Sequence, residues 1–181
     1  MNTKSTMNFS RRKFIGTSAT AMAGLTVIPS FAVSGLGHIA PSDKLNIAGI
    51  GIGGKGKVNL KNMPGQNIVA LCDVDWDYAK PVANTYSKAK QFDDYRKMFD
   101  KIQKDIDAVV IATPDHTHAI IAMTAMQLGK HVYCQKPLTH TVWESRQLTE
   151  AAKKYKVVTQ MGNEGHSDDS VYEVAEVVQS G

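Results

Sequence analysis

The stretch from Lys44 to Asp73 constrains this chain more than any other. Residues 45 to 50 form a short, mainly apolar run that stops at glycines, the pattern of a strand buried on both faces of a parallel sheet. Glycines follow at 49, 51, 53, 54 and 56, and two registers of Gly-x-Gly-x-x-Gly fit them, 49/51/54 and 51/53/56. The second is preferred because it leaves 47 to 50 inside the strand. Gly51 is then expected to make the tight turn, Gly53 to let backbone approach a pyrophosphate with Gly54 beside it, and Gly56 to let the next helix pack close. Phosphates would rest on unpaired N–H groups at the start of that helix.

A second apolar run, 68 to 72, ends at Asp73, which lies 22 residues past Gly51 (73 − 51). At that distance an acidic side chain can accept hydrogen bonds from both hydroxyls of an adenosine ribose. A carboxylate there repels a 2′-phosphate, so NAD is expected and NADP is less favoured. The plainer alternative makes Asp73 a solvated strand end and Asp75 the N-cap of the next helix.

Strands and helical patterns alternate through the rest of the chain, which predicts right-handed crossovers and an α/β, doubly wound parallel sheet with helices on both faces. The expected strands are 45–50, 67–73, 90–92, 107–112, 131–134 and 157–161. The expected helices are 55–62, 76–88, 94–103, 116–128, 142–155 and 170–179. Pro81 obscures the start of the second helix, because proline inside a helix removes a hydrogen bond. Thr141-Val-Trp-Glu144 reads as a capping box.

Residues 1–42 are expected to stand apart from this fold as a signal peptide and linker. They carry Lys4, Arg11, Arg12 and Lys13, no acidic residue, and then a weakly apolar run from Phe14 to Val33. That is the layout of an export signal. Ser10-Arg-Arg-Lys-Phe-Ile15 resembles the twin-arginine signature, which implies the twin-arginine export machinery as a partner and a periplasmic or otherwise exported protein. A transmembrane anchor and a basic tail are the competing readings. The signal also accounts for the formal charge of +4. Without its four basic residues, 17 Lys and Arg face 17 Asp and Glu, so nothing points to nucleic acid.

Two further loops leave the carboxyl ends of strands, where open parallel sheets bind ligands. One is Thr113-Pro-Asp-His-Thr-His118 and the other Gln135-Lys136-Pro137. His116 and His118 with Asp115 raise the question of a metal, but histidines two apart at a helix start are more often caps or surface residues, and no metal is expected. A lysine fixed before a proline at a pocket rim can hydrogen-bond a substrate hydroxyl or pass a proton, so Lys136 is the catalytic candidate. Spacing alone leaves an ordinary exposed lysine equally open. Cys72 and Cys134 end strands that are not neighbours in the order 3-2-1-4-5-6, so two buried thiols are expected rather than a bridge.

Gly51-Ile-Gly-Gly-Lys-Gly56, Cys72-Asp-Val-Asp75, Ala112-Thr-Pro-Asp-His-Thr-His118, Gly129-Lys-His-Val132 and Gln135-Lys-Pro-Leu138 together resemble the successive signatures of the Gfo/Idh/MocA oxidoreductases. The resemblance covers about residues 44 to 166. It implies a nicotinamide-binding Rossmann domain (43–163) followed by an α+β substrate domain, of which 164–181 would be the start. It implies that Lys136 contacts a reacting sugar or cyclitol hydroxyl, that Thr113 and Pro114 line the cofactor, and that His118 closes that motif as a cofactor-site residue. It also makes the Lys136–Pro137 bond a candidate for the cis isomer. Gln135 stands where the family carries glutamate, so a negative charge is missing beside Lys136. The family's substrate-side Asp and His have no counterpart before Gly181, which suggests a truncated chain. The family's dimer surface belongs to the second domain, so a homo-oligomer is expected only with it.

Export and a nicotinamide cofactor together imply a protein that folds around NAD and keeps it. The expected activity is hydride transfer from a sugar or cyclitol hydroxyl. The alternatives are an NAD-dependent glycosidase working by transient oxidation and elimination, and a nucleotide-binding module without catalysis.

Overall fold

The computed structural model describes residues 43–181, so the expected signal in 1–42 lies outside the described residues. Six strands form one parallel sheet: β1 (Asn46–Ile50), β2 (Asn67–Cys72), β3 (Lys90–Phe92), β4 (Ala108–Ile111), β5 (His131–Gln135) and β6 (Thr159–Gly162). Their spatial order is β3-β2-β1-β4-β5-β6, the doubly wound order expected. The helices are α1 (Lys55–Lys61), α2 (Trp76–Thr85), α3 (Tyr95–Ile102), α4 (His118–Gln127), α5 (Val142–Tyr155) and α6 (Asp169–Ser180).

Alternation along each strand builds two cores. Ala48 and Ile50 of β1 face one side with Ala70, Cys72, Val109, Ile111, Met98 and Phe99. Ile47 faces the other with Leu71, Val110, Leu60, Ala79 and Val82. A strand hydrophobic on both faces is stable only with helices on both sides, and the crossovers supply them.

Local chemistry sets the boundaries. Asp75 caps α2 by accepting from Tyr78 N–H at 3.0 Å, so the plainer reading of Asp75 is the observed one. The helix then runs through Pro81 with one fewer backbone bond. Thr141 and Glu144 form the expected capping box: Glu144 N–H donates to Thr141 Oγ1 at 3.2 Å, and Thr141 N–H donates to Glu144 Oε2 at 2.9 Å. β6 begins two residues later than expected. Val157 N–H turns back to the Ala152 carbonyl at 3.2 Å, and Val158 N–H goes to His131 Nδ1 at 2.9 Å. Helix α4 starts at His118 rather than 116, because Asp115–Thr117 is a 3-10 turn.

Cys72 and Cys134 are free and buried, separated in the sheet by β1 and β4. Burial pushes both thiols up to about 12, with Asp73 adding to the effect at Cys72. Among the described residues no helix is long and apolar enough to cross a membrane.

Candidate dinucleotide site and adjoining cleft

The glycine loop between β1 and α1 is shaped by close backbone approach. Gly51 adopts φ 77°, and its N–H donates to the Cys72 carbonyl at 2.8 Å. A Cβ on Gly51 would lie 2.6 Å from Thr113 N, so the loop backs directly onto the end of β4. A Cβ on Gly56 would lie 2.1 Å from the Gly51 carbonyl oxygen. The backbone therefore follows the register 51/53/56, with Gly49 inside β1.

Asp73, at the end of β2, turns its half-buried carboxylate onto this loop. Its Oδ2 accepts from Ile52 N–H at 2.7 Å and Gly53 N–H at 3.1 Å, and its Oδ1 accepts from Asp75 N–H at 3.0 Å. An ionised carboxyl offers about four lone-pair sites. Three are used here, which fixes the group and leaves acceptor capacity for a ribose hydroxyl. The loop amides of Ile52 and Gly53 belong to Asp73, while the helix start expected to receive phosphates is the Gly54–Lys55 corner, where Gly54 caps α1 without a side-chain bond.

The loops after β4 and β5 meet on the same rim. His118 is 1 % exposed, with Nδ1 2.7 Å from the Pro137 carbonyl oxygen and Nε2 2.8 Å from the Thr113 carbonyl oxygen. Both partners are acceptors, so a ring carrying one N–H can satisfy only one of them at a time. His118 thus ties the Thr-Pro loop to the Lys-Pro loop through main-chain atoms rather than offering a free nitrogen to a ligand. Thr113 Oγ1 accepts from Thr117 Oγ1 at 2.8 Å, and Pro114 leads into the 3-10 turn. The Lys136–Pro137 bond is cis. Among the described residues no group of three or more His, Cys, Asp or Glu could hold a metal ion.

These loops enclose a cleft of about 750 Å³ lined by Lys55, Thr113, His118, Gln135, exposed Lys136 and Glu164. A cleft of about 860 Å³ opens at the other end of the sheet, by Asn46, Asn67 and Lys90. The smaller one is the candidate, because parallel sheets present convergent loops at the carboxyl ends of their strands. Two of its features escaped the sequence. Lys55 forms an ion pair with Glu164 across the cleft. Gln135 Nε2 donates to Asn59 Oδ1 at 3.3 Å, while Asn59 Nδ2 is buried without a partner among the described residues. Neither is visible in spacing, since the partners are 109 and 76 residues apart.

A doubly wound parallel sheet with a wedged glycine turn and a carboxylate tied across it defines a dinucleotide-binding domain. Comparison with known proteins makes this specific: residues 44–163 match the GFO_IDH_MocA family, described as an oxidoreductase family with an NAD-binding Rossmann fold. The chain belongs to that family. It is 34% identical over 146 residues to inositol 2-dehydrogenase of Rubrobacter xylanophilus, covering 77% of this chain and 41% of the relative. It is 29% identical over 142 residues to inositol 2-dehydrogenase of Salmonella typhimurium, covering 76% of this chain and 42% of the relative. The crystal structure of myo-inositol 2-dehydrogenase from Lactobacillus plantarum superposes with a TM-score of 0.66 at 26% identity, over 76% of this chain and 42% of that one. The chain therefore spans about two fifths of the length of the curated relatives it matches.

Proposed function

We propose that this chain is the cofactor-holding part of an exported NAD-dependent oxidoreductase acting on a sugar or cyclitol hydroxyl. The observation that carries the reading is the Asp73 carboxylate, locked over the glycine loop beside a cleft that also holds Lys136. The residues fit the cofactor: the close approaches at Gly51 and Gly56 hold the turn tight against β4 and α1, and Asp73 keeps acceptor capacity for a ribose hydroxyl. NAD supplies a hydride acceptor. Everything else falls to the chain: Asp73 orients the adenosine, the Gly54–Lys55 corner holds the diphosphate, and Thr113 and Pro114 border the path toward Lys136. The Nζ of Lys136 donates a hydrogen bond to the oxygen of the reacting hydroxyl and so orients it toward the hydride acceptor.

Similarity to inositol 2-dehydrogenases supports the cyclitol class, and the basic, weakly apolar start of the chain supports export. An exported enzyme has no cytoplasmic supply of NAD, so the cofactor stays bound between turnovers. Titration calorimetry with NAD, on protein first stripped of any bound nucleotide, tests the site, and absence of heat refutes it. Nicotinamide released from the protein purified from its natural source, detected by mass after denaturation, tests retention. A rise in reduced-nicotinamide absorbance on adding myo-inositol or glucose separates the oxidoreductase from a module that binds without turnover. Cell fractionation with Arg11→Lys and Arg12→Lys tests export, and an unchanged distribution refutes the twin-arginine route.

One observation favours a second reading. The chain is 28% identical over 176 residues, 82% of its length, to a glycosyl hydrolase family 109 protein of Shewanella pealeana. Release of nitrophenol from a nitrophenyl glycoside would establish a glycosidase instead.

A further inference from the structure

We infer that the exposed ring of Tyr78 is the platform on which the adenosine half of an adenine nucleotide lies. This rests on the dinucleotide reading of the site and assigns one more residue to it. Tyr78 is the third residue of α2, held there by its N–H bond to Asp75. Side chains in a helix lean toward its N-terminus, so the ring stands at the carboxyl rim of the sheet. A Cβ on Gly53 would lie 2.3 Å from Tyr78 Cδ1, and one on Gly54 would lie 3.5 Å from the phenol oxygen. The ring is therefore seated on the glycine loop, in space that only glycine leaves open. It rests on the same Gly53 whose N–H is bound by Asp73.

The ring adds little to either core, since Tyr78 is 63 % exposed, and Val74, next to Asp73, is 88 % exposed. A flat aromatic thus lies exposed on the loop that the Asp73 carboxylate holds. Purine faces stack on aromatic rings whatever their hydrogen-bonding edge. Asp73, Asp75 and Asp77 share this segment, and no Lys or Arg lies between 73 and 79. The platform accordingly suits an adenosine with a free 2′-hydroxyl and disfavours a 2′-phosphate.

The test is calorimetry of the 181-residue chain with AMP, NAD and nicotinamide mononucleotide, comparing Tyr78→Ala and Tyr78→Phe with the parent. Removing the ring should weaken AMP and NAD by about tenfold, while Tyr78→Phe keeps both affinities and nicotinamide mononucleotide is unaffected. Melting temperatures should agree among the three proteins, because the ring is exposed. If Tyr78→Ala binds AMP within about twofold of the parent, or more tightly, the ring is ornamental or an obstruction and the inference falls. If the parent binds neither AMP nor NAD, the dinucleotide reading itself fails, a separate result.

Discussion

Replacing Gly56 by alanine puts the packing of the glycine loop to a quantitative test. The new methyl would sit 2.1 Å from the Gly51 carbonyl oxygen, whereas ordinary contact begins at 3.4 Å, leaving 1.3 Å to be found (3.4 − 2.1). Gly51 cannot supply it. Its own Cβ direction is blocked at 2.6 Å by Thr113 N, and its N–H is held by the Cys72 carbonyl. Helix α1 must move instead, carrying Lys55 and the Gly54 corner away from Asp73. Overpacking of this kind costs about 1–3 kcal/mol. Alanine is better than glycine in a helix by up to about 1 kcal/mol, which offsets part of it. The net loss is about 1–2 kcal/mol, or about 3–8 °C in melting temperature for a domain of this size. A thermal melt measures that, and calorimetry with NAD should show a fall of at least about tenfold because the diphosphate corner has shifted. Gly165→Ala is the control: nothing lies within 4 Å of its Cβ position, and its melt should be unchanged. A Gly56→Ala protein with parental melting temperature and NAD affinity would refute the account of the loop.

Asp73→Asn gives the carboxylate position one acceptor oxygen for three converging N–H groups, so at least one is left facing an NH2. Stability should fall by about 1–3 kcal/mol, NAD affinity should drop, and the preference for NAD over NADP should narrow, all readable by melting and paired titrations. His118→Phe keeps a ring but removes the N–H that the Thr113 and Pro137 carbonyls share; urea unfolding should register a loss of about 1–3 kcal/mol, and hydrogen exchange should quicken around 113–118 and 136–138. His116→Ala, at an exposed position, should stay within about 0.5 kcal/mol of the parent. Both cysteines should resist iodoacetamide at pH 8 in the folded protein and react once unfolded, since burial holds the thiols up to about 12. Because these values are raised above the unfolded one, their contribution to stability is complete below about pH 9 and is lost as pH climbs from there toward 12.

What could be read from the chain follows from the range of the physics involved. The strand and helix segments, the glycine spacing of the turn and the Thr141 cap depend on residues close in sequence or on periodicity, and each left a pattern. The role of His118 did not. Helix α4 is apolar all round, His-Ala-Ile-Ile-Ala-Met-Thr-Ala-Met, so no stripe shows which side of it is buried. The resemblance gave His118 a place at the cofactor site, while the geometry gives it two carbonyls from loops 5 and 19 residues away. Asp73 was found for its spacing from Gly51, yet its hold on the Ile52 and Gly53 amides depends on β1 and β2 pairing in register. Lys156 ends α5 at φ 54° without being glycine or asparagine, so no composition signal marked that end.

The rim divides into two mechanical units. On one side Asp73 joins β2 to the glycine loop, and Tyr78 sits on that loop from α2; these side-chain contacts lie within residues 51 to 78. On the other, His118 joins the loops that carry Thr113 and Lys136, contacts that need β4 and β5 side by side. The two meet where the Cβ direction of Gly51 runs into the Thr113 amide, and again where Gln135 bonds Asn59 of α1. Substitutions in the first unit should therefore change nucleotide affinity while leaving the geometry around Lys136 intact, and His118 variants should do the reverse. Gly51→Ala should damage both, since it strains a left-handed turn and pushes on Thr113 at once. If a His118 variant altered AMP affinity as much as an Asp73 variant does, the two loop systems would be one coupled body, and this division would be wrong.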